Sequence, residues 1–380
     1  MTFKNREPRS APCPRKTRNT IRTAHRIHQR ALLSHAEGNF EKARELCARS
    51  LRLLERELAP EDPDLANVLN TFGGIQQDLG CYAEAEATFR RSVSIVQNLS
   101  GDIEVERLRV RSLSHLADIF RVQSRYEEAE PLFERALSIA ESAFGPRDLH
   151  VCSVLNGWAL LCRYSGRFDA AERLYQRALA VMEEILGPEH VDVATMYHNL
   201  GGLEYMRGRY STGELYARRS VEIRQKTHAP DSPELAADLA TLAAILDAQD
   251  KQEAEELYQR ALHIFESERG QDNYEVAINL NNLAALNHRR GNILLAEAFY
   301  WWALHLKEKI LGPDHPDTAM TVHNLAVLFR SQGDLEQASS LLGRALRIFE
   351  KTLDPDHPRV LACRDNLNEL QQEYKRWAEL

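Results

Sequence analysis

Histidine, cysteine, asparagine and arginine are the residues in this chain whose placement bears on chemistry. His25 and His28 stand three apart, a spacing that puts two ligands near one helix face, but no third ligand lies near them in sequence. A surface helix carrying two histidines is the plainer reading. The six cysteines, Cys13, Cys47, Cys81, Cys152, Cys162 and Cys363, are scattered without a C-x-x-C pair, so zinc and dithiol chemistry are not indicated. They read as small core residues of a reducing compartment. The sequence holds no G-x-x-x-x-G-K-[ST] loop, no G-x-S-x-G elbow and no H-E-x-x-H helix. The expectation is a non-enzyme with no catalytic set, no metal and no cofactor.

The polar residues fall instead in rows. Asn70, His115, Asn156, His198, Asn199, Asn281, Asn282, His323 and Asn324 each stand nine or ten residues before a recurrent turn. Arg121, Arg163, Tyr205, His288 and Arg330 stand three before it, with Arg289 beside His288 and Arg111 earlier in the third copy. The turn itself is Gly38, Gly80, Ser124, Gly166, Gly208, Gln249, Gly291 and Gly333, in steps of 41 to 44 residues. A period in that range means stacked helical repeats.

One repeat shows what positions the rows. Ala319, Val322, Leu325, Ala326 and Phe329 recur at helical spacing and predict a helix A. Gly333 suits a left-handed cap, and helix B runs on from about Leu335 to Lys351. Five residues after the turn all eight copies are small: Ala43, Ala85, Ala129, Ala171, Gly213, Ala254, Ala296 and Ala338. Twelve residues after it they are small again, from Ser50 and Ser92 to Ala303 and Ala345. Two rows seven apart share a helix face, and small side chains there let neighbouring helices approach. Between repeats, joints such as Leu-Gly-Pro-Asp-His-Pro at 311–316 stop helix B, and Pro63, Pro316 and Pro358 suit the first position of the next helix. The joint histidines read as polar helix-entry residues.

The charge of −8 and pI near 6.0 argue against a nucleic-acid binder held by bulk charge. No run approaches bilayer-spanning length. Residues 1–20 are basic, with Lys4, Arg6, Arg9, Arg15, Lys16 and Arg18, and are expected to form a disordered tail without a secretory signal. Residues 21–358 form the repeat array. Residues 359–380 follow as a capping helix, with Val360, Leu367, Leu370, Tyr374 and Trp377 on one face.

This pattern resembles the tetratricopeptide repeat, and more narrowly the 42-residue variety found in kinesin light chains and many bacterial signalling and scaffold proteins. Asn-Asn-Leu-Ala at 281–284, Gly-Arg-Phe at 166–168, Ala-Glu-Arg-Leu-Tyr-Gln-Arg-Ala-Leu at 171–179 and the joint at 311–316 carry the likeness. No long heptad coiled coil precedes the repeats, so a kinesin subunit is not expected. The resemblance implies an all-α, right-handed superhelical solenoid of about eight helix-turn-helix repeats. It also implies that the A helices line a concave face on which partners lie as extended or helical peptides. The polar rows then become groove residues: Asn70, Arg111, His115, Arg121, Asn156, Arg163, His198, Asn199, Tyr205, Asn281, Asn282, His288, His323, Asn324 and Arg330. An Asn amide donates and accepts, which suits a peptide backbone, although it could equally bond the neighbouring repeat. The arginines suggest an acidic or C-terminal-carboxylate peptide, unless they pair with acids on adjacent helices.

Arg49, Arg91, Arg135, Arg177, Arg219, Arg260 and Arg344 fill one further row, which suggests a bond to a neighbouring repeat. Trp302 breaks that row, and with Trp301 it marks a candidate second interface or a packing contact. The expected function is a cytoplasmic scaffold or adaptor for a protein or peptide partner, with no small-molecule substrate, nucleic acid or membrane insertion. The alternative is a regulatory component of a signalling or transport complex whose curvature changes on ligand binding.

Overall fold

A computed structural model describes residues 15–99, 101–353 and 355–378. Among these residues every element is a helix. Eight antiparallel pairs follow one another: α1 (Arg15–Ala36) with α2 (Phe40–Glu57), α3 (Pro63–Asp78) with α4 (Tyr82–Gln97), α5 (Ile103–Val122) with α6 (Tyr126–Phe144), and α7 (Leu149–Tyr164) with α8 (Phe168–Leu186). They continue as α9 (Val191–Met206) with α10 (Tyr210–Thr227), α11 (Pro233–Asp247) with α12 (Glu253–Arg269), α13 (Tyr274–Arg289) with α14 (Ile293–Leu311), and α15 (Pro316–Ser331) with α16 (Leu335–Thr352). A last helix, α17 (Pro358–Ala378), closes the array and buries Val360 and Leu370. Cys13 and most of the expected tail lie outside the described residues, as do the side chains of Tyr374 and Trp377. The first helix begins at Arg15, so residues 15–20 of the span assigned to the tail are helical.

Each pair turns through a left-handed residue. Gly38 is typical: its N–H bonds the His35 carbonyl, and the Asn39 N–H bonds that of Ser34. That is the two-bond glycine cap of a helix end. Two copies lack the glycine. Ser124 adopts φ 63, and in the sixth repeat the left-handed residue is Asp250, with φ 56. The turn slot there is thus Asp250 and not Gln249. Asp tolerates this conformation because its short polar side chain can bond locally.

The joints are built from caps. Asp62, Asp102, Asp148, Ser232 and Asn273 each accept a backbone N–H of the helix they precede. His190 and His315 do the same through Nδ1, from Asp192 and Asp317, so these histidines are helix-entry residues in fact. Pro63, Pro233 and Pro316 occupy the first helical turn.

Both small rows are fully buried. Ser50, Ser92 and Ser220 use the closeness to donate to the backbone carbonyls of Ala24, Ala66 and Ala194 on the partner helix. Gly201 and Gly213 face each other so closely that a β-carbon on Gly201 would lie 3.3 Å from the Gly213 carbonyl oxygen. Cys47, Cys152, Cys162 and Cys363 are buried packing residues: burial pushes the Cys47 thiol up to about 12 and those of Cys152 and Cys363 up to about 11.

Successive repeats are tied by two polar ladders. On the outer helices, Arg91, Arg177 and Arg344 reach Glu55, Glu141 and Glu308 of the preceding repeat, in each case 36 residues back. On the A helices the bonds run 43 residues forward: His28 to Thr71, His35 to Asp78, Tyr274 to Asp317 and His288 to Ser331. His28 is buried in this ladder, so the reading of a fully surface helix is corrected there.

Candidate functional site

Each A helix packs against the A helix of the next repeat, as α3 does on α5 and α5 on α7, while the B helices pack chiefly within and between adjacent pairs. The A helices therefore form the shorter, inner circumference of the coil. The polar rows lie on that wall, and the structure sorts them by what they touch.

Many already have partners. Asn70 is buried and donates to Ser112 Oγ at 2.9 Å. Asn199 donates to Asn156 at 2.7 Å, and Asn324 to Asn281 at 3.2 Å. His323 meets Asn366, and His288 meets Ser331. His115 stacks on Phe89, and burial lowers its proton affinity. The Asn/His row is thus in large part a repeat-to-repeat ladder. The arginines divide in the same way. Arg121 pairs with Asp118 at 2.6 Å, Arg289 with Asp247, and Arg330 with Glu369 and Glu373.

Arg111 and Arg163 differ. Arg111 donates to the Asn67 amide oxygen at 2.7 Å and has no carboxylate among the described residues; burial and the nearby Arg107 charge lower its pKa. Arg163 touches Met206 Sδ at 3.0 Å and lies over the Tyr164 ring, again with no carboxylate partner. The Tyr175 phenol sits near Arg163, which opposes the upward shift that burial gives it, yet its oxygen makes no well-formed hydrogen bond.

Arg163 stands at the mouth of a cleft of about 290 Å³ between α7, α9, α11 and α13. Ala237, Ala240 and Ala244 of α11, with Phe265 and Ile278, make its apolar wall. Its polar wall holds His198, Tyr205, Asn279 and Asn282, and Glu275 stands on the α13 rim. Asn279 is 1% exposed, and its amide oxygen has no hydrogen-bond partner. A buried acceptor left unpaired costs about 1–3 kcal/mol, and this one is closed off from the cleft.

His198 is held from below. Its Nδ1 meets Asp238 Oδ1 at 2.8 Å, and Asp238 Oδ2 accepts from Arg224 Nε at 2.6 Å. Arg224 also donates to Thr195 Oγ1 at 2.9 Å, and both members of the ion pair are buried. That network fixes the imidazole and leaves Nε2 for the cleft. No hydroxyl or thiol among the described residues is hydrogen-bonded to His198, so the ring is not arranged as the base of a nucleophile. Among the described residues no group of three or more His, Cys, Asp or Glu could hold a metal ion. No described helix is long and apolar enough to cross a membrane.

The tetratricopeptide repeat model matches residues 20–98, 108–184, 150–226, 192–267, 275–351 and 323–379. The chain belongs to the tetratricopeptide repeat family. Its repeat length is that of the kinesin-light-chain-like variety. Among solved structures, aspartyl phosphate phosphatase F from Bacillus subtilis is 18% identical, with a TM-score of 0.57 over 78% of this chain and 73% of that one. A Rap protein complexed with competence and sporulation factor is 13% identical, with a TM-score of 0.56 over 82% of this chain and 88% of that one. BtubC (BKLC) from P. vanneervenii is 22% identical over 68% of this chain and 94% of that one, with a TM-score of 0.47. At these identities the likeness is one of fold. No curated protein matches the chain by sequence.

Sequence reasoning placed Arg163, His198, Tyr205 and Asn282 on the wall but missed what joins them. On α11 the cleft wall is alanine, and Ala240 stands where Asn70, Asn156, His198, Asn281 and His323 stand on other A helices. The alanine run Ala236–Ala237, Ala240, Ala243–Ala244 was the available signal.

A second surface lies on α14. Leu294 is 84% exposed, Leu295 44%, Trp301 42% and Trp302 39%. Trp301 also meets the Phe329 ring edge-on.

Proposed function

We propose that this tetratricopeptide repeat chain is a protein-interaction scaffold that takes an acidic, extended peptide on its inner face, anchored in the cleft between α7 and α13. The supporting observation is Arg163: a cation with no carboxylate partner among the described residues, at a cleft with an apolar α11 wall. A carboxylate on Arg163 would gain a charge-assisted, two-pronged bond. Asn282 would take a backbone group, and an apolar side chain would cover Phe265 and the α11 alanines. Arg111 extends the positive lining toward the N-terminal repeats. Asn70, Asn156, Asn199, His288, His323, Asn324 and Arg330 would then keep the wall in shape through the bonds they make to neighbouring repeats, and Arg121 through its pair with Asp118 and its place over the Tyr164 ring.

The test is selection from a displayed random-peptide library against the full chain and against Arg111→Glu/Arg163→Glu. The wild type should enrich peptides bearing Asp or Glu beside a large apolar residue, and the variant should not. Identical enrichment from both proteins would refute the reading.

A further inference from the structure

The coil returns on itself. The turn between α3 and α4 sits on the joint that enters α15. A β-carbon on Gly80 would lie 2.7 Å from His315 Cδ2 and 3.1 Å from Pro316 Cδ, so this approach requires glycine. Beside it Tyr82, the first residue of α4, packs against the hydrophobic cluster of α13 to α17. Burial and the Asp317 charge both raise the pKa of its phenol. His315 is itself buried, and the Asp78 backbone carbonyl lies near enough to favour its protonated form, although Nε2 completes no well-formed hydrogen bond.

One repeat earlier the same stacking is looser. Gly38 faces Asn273 at the same sequence separation that divides Gly80 from His315, and its β-carbon position is 3.9 Å from Asn273 Nδ2. The rest of that turn, from Glu37 to Lys42, leaves a cleft of about 400 Å³ against Asp272, Tyr274 and Lys309. Successive turns of the coil therefore stack in register, six repeats apart, and one contact is tight.

We propose that the turn Asp78–Tyr82 is a latch, which holds the coil closed on the His315–Asp317 joint and whose release lets the inner face widen. The contact is small and lies at the second repeat, so the remaining repeats stay folded when it parts: each is stabilised by its own pair and its neighbours. The inner wall between the latched ends includes the α7 to α13 cleft, so the latch sets the curvature that any partner meets. The inference concerns the coil alone and does not depend on what the cleft binds.

Small-angle scattering on the full chain tests it with a matched pair of variants. Gly80 and Gly208 have the same left-handed turn conformation, with φ 72 and 74, but a β-carbon at Gly208 meets nothing within 4 Å. Gly80→Asn should raise the radius of gyration by about a tenth, from a compact reference of roughly 21 Å for this length or above. Gly208→Asn should leave it unchanged, and Tyr82→Ala should reproduce Gly80→Asn with helicity intact. Should Gly80→Asn fail to fold, Tyr82→Ala decides alone. A wild-type radius in Tyr82→Ala, or an equal expansion in Gly208→Asn, would overturn the latch.

Discussion

Arg163 lies across Gly202 so closely that a β-carbon at position 202 would fall 2.9 Å from its Nη1. The bare backbone of α9 is what lets the guanidinium rest at the cleft mouth. Gly202→Val should displace Arg163 and weaken binding of a library-selected acidic peptide by about tenfold, the scale of one charge-assisted hydrogen bond. Fluorescence anisotropy measures it. Unchanged affinity would place the peptide elsewhere.

The small rows should resist any increase in size. Ala171 is fully buried between its helix pair. Ala171→Leu is expected to cost about 1–3 kcal/mol by overpacking, whereas Leu215→Lys, at a position 71% exposed, should stay within about 0.5 kcal/mol of wild type. Denaturant midpoints of the two variants check this.

Asp238 carries two obligations, to Arg224 and to His198. Asp238→Ala leaves the Arg224 guanidinium buried and unpaired, at a cost of about 3–5 kcal/mol. It also frees the His198 ring. The expected result is a lower unfolding midpoint together with weaker peptide binding, and a midpoint within error of wild type would contradict it.

Acid should destabilise the fold in a defined window. Burial lowers the proton affinity of His28, His115, His315 and His323 below the ordinary histidine value of 6.5. The unfolded chain thus binds protons that the folded chain does not. Stability is full above about pH 6.5 and falls as the pH drops through the interval below it. Thermal unfolding should occur at lower temperature at pH 5.5 than at pH 7.5. His315→Asn, which can still cap α15, should reduce the difference.

How much of this was legible in the residues depends on how often each signal repeats. The helix pairs, the small rows and the left-handed turns recur eight times, six of the turns on glycine, so their roles follow from periodicity. The outer arginines recur too, and three of the seven, Arg91, Arg177 and Arg344, bond the preceding repeat. The sixth turn was misplaced by one residue because Gln249 and Asp250 are both polar and a residue is missing just after them. The Asn row was ambiguous for a physical reason: the amide that can grip a peptide can equally grip the next helix, and Asn156 and Asn281 do the latter. The cleft depends on alanines on one helix facing polar residues on two others, and the latch on small rotations summed over six repeats. Neither is a local property of the sequence.

Trp301 and Trp302 make the outer face of α14 apolar, and Trp302 stands where Arg91, Arg177 and Arg344 bridge to the preceding repeat. Trp301→Ala with Trp302→Arg should remove self-association or partner contact at that face. It should also restore the outer link, since Glu266 occupies the place that Glu308 takes for Arg344. Sedimentation equilibrium reads the first effect, and an unchanged mass distribution and unchanged partner binding would remove the second interface.

The most direct measurement is a charge exchange at Arg163. A library-selected acidic peptide and its Lys-substituted counterpart would each be titrated against wild type and Arg163→Glu, at low and at moderate salt. The inner-face account predicts that the acidic peptide loses affinity for the variant, that the basic peptide gains it, and that salt weakens both matched pairs. Equal affinities for the two proteins, with either peptide, would contradict it.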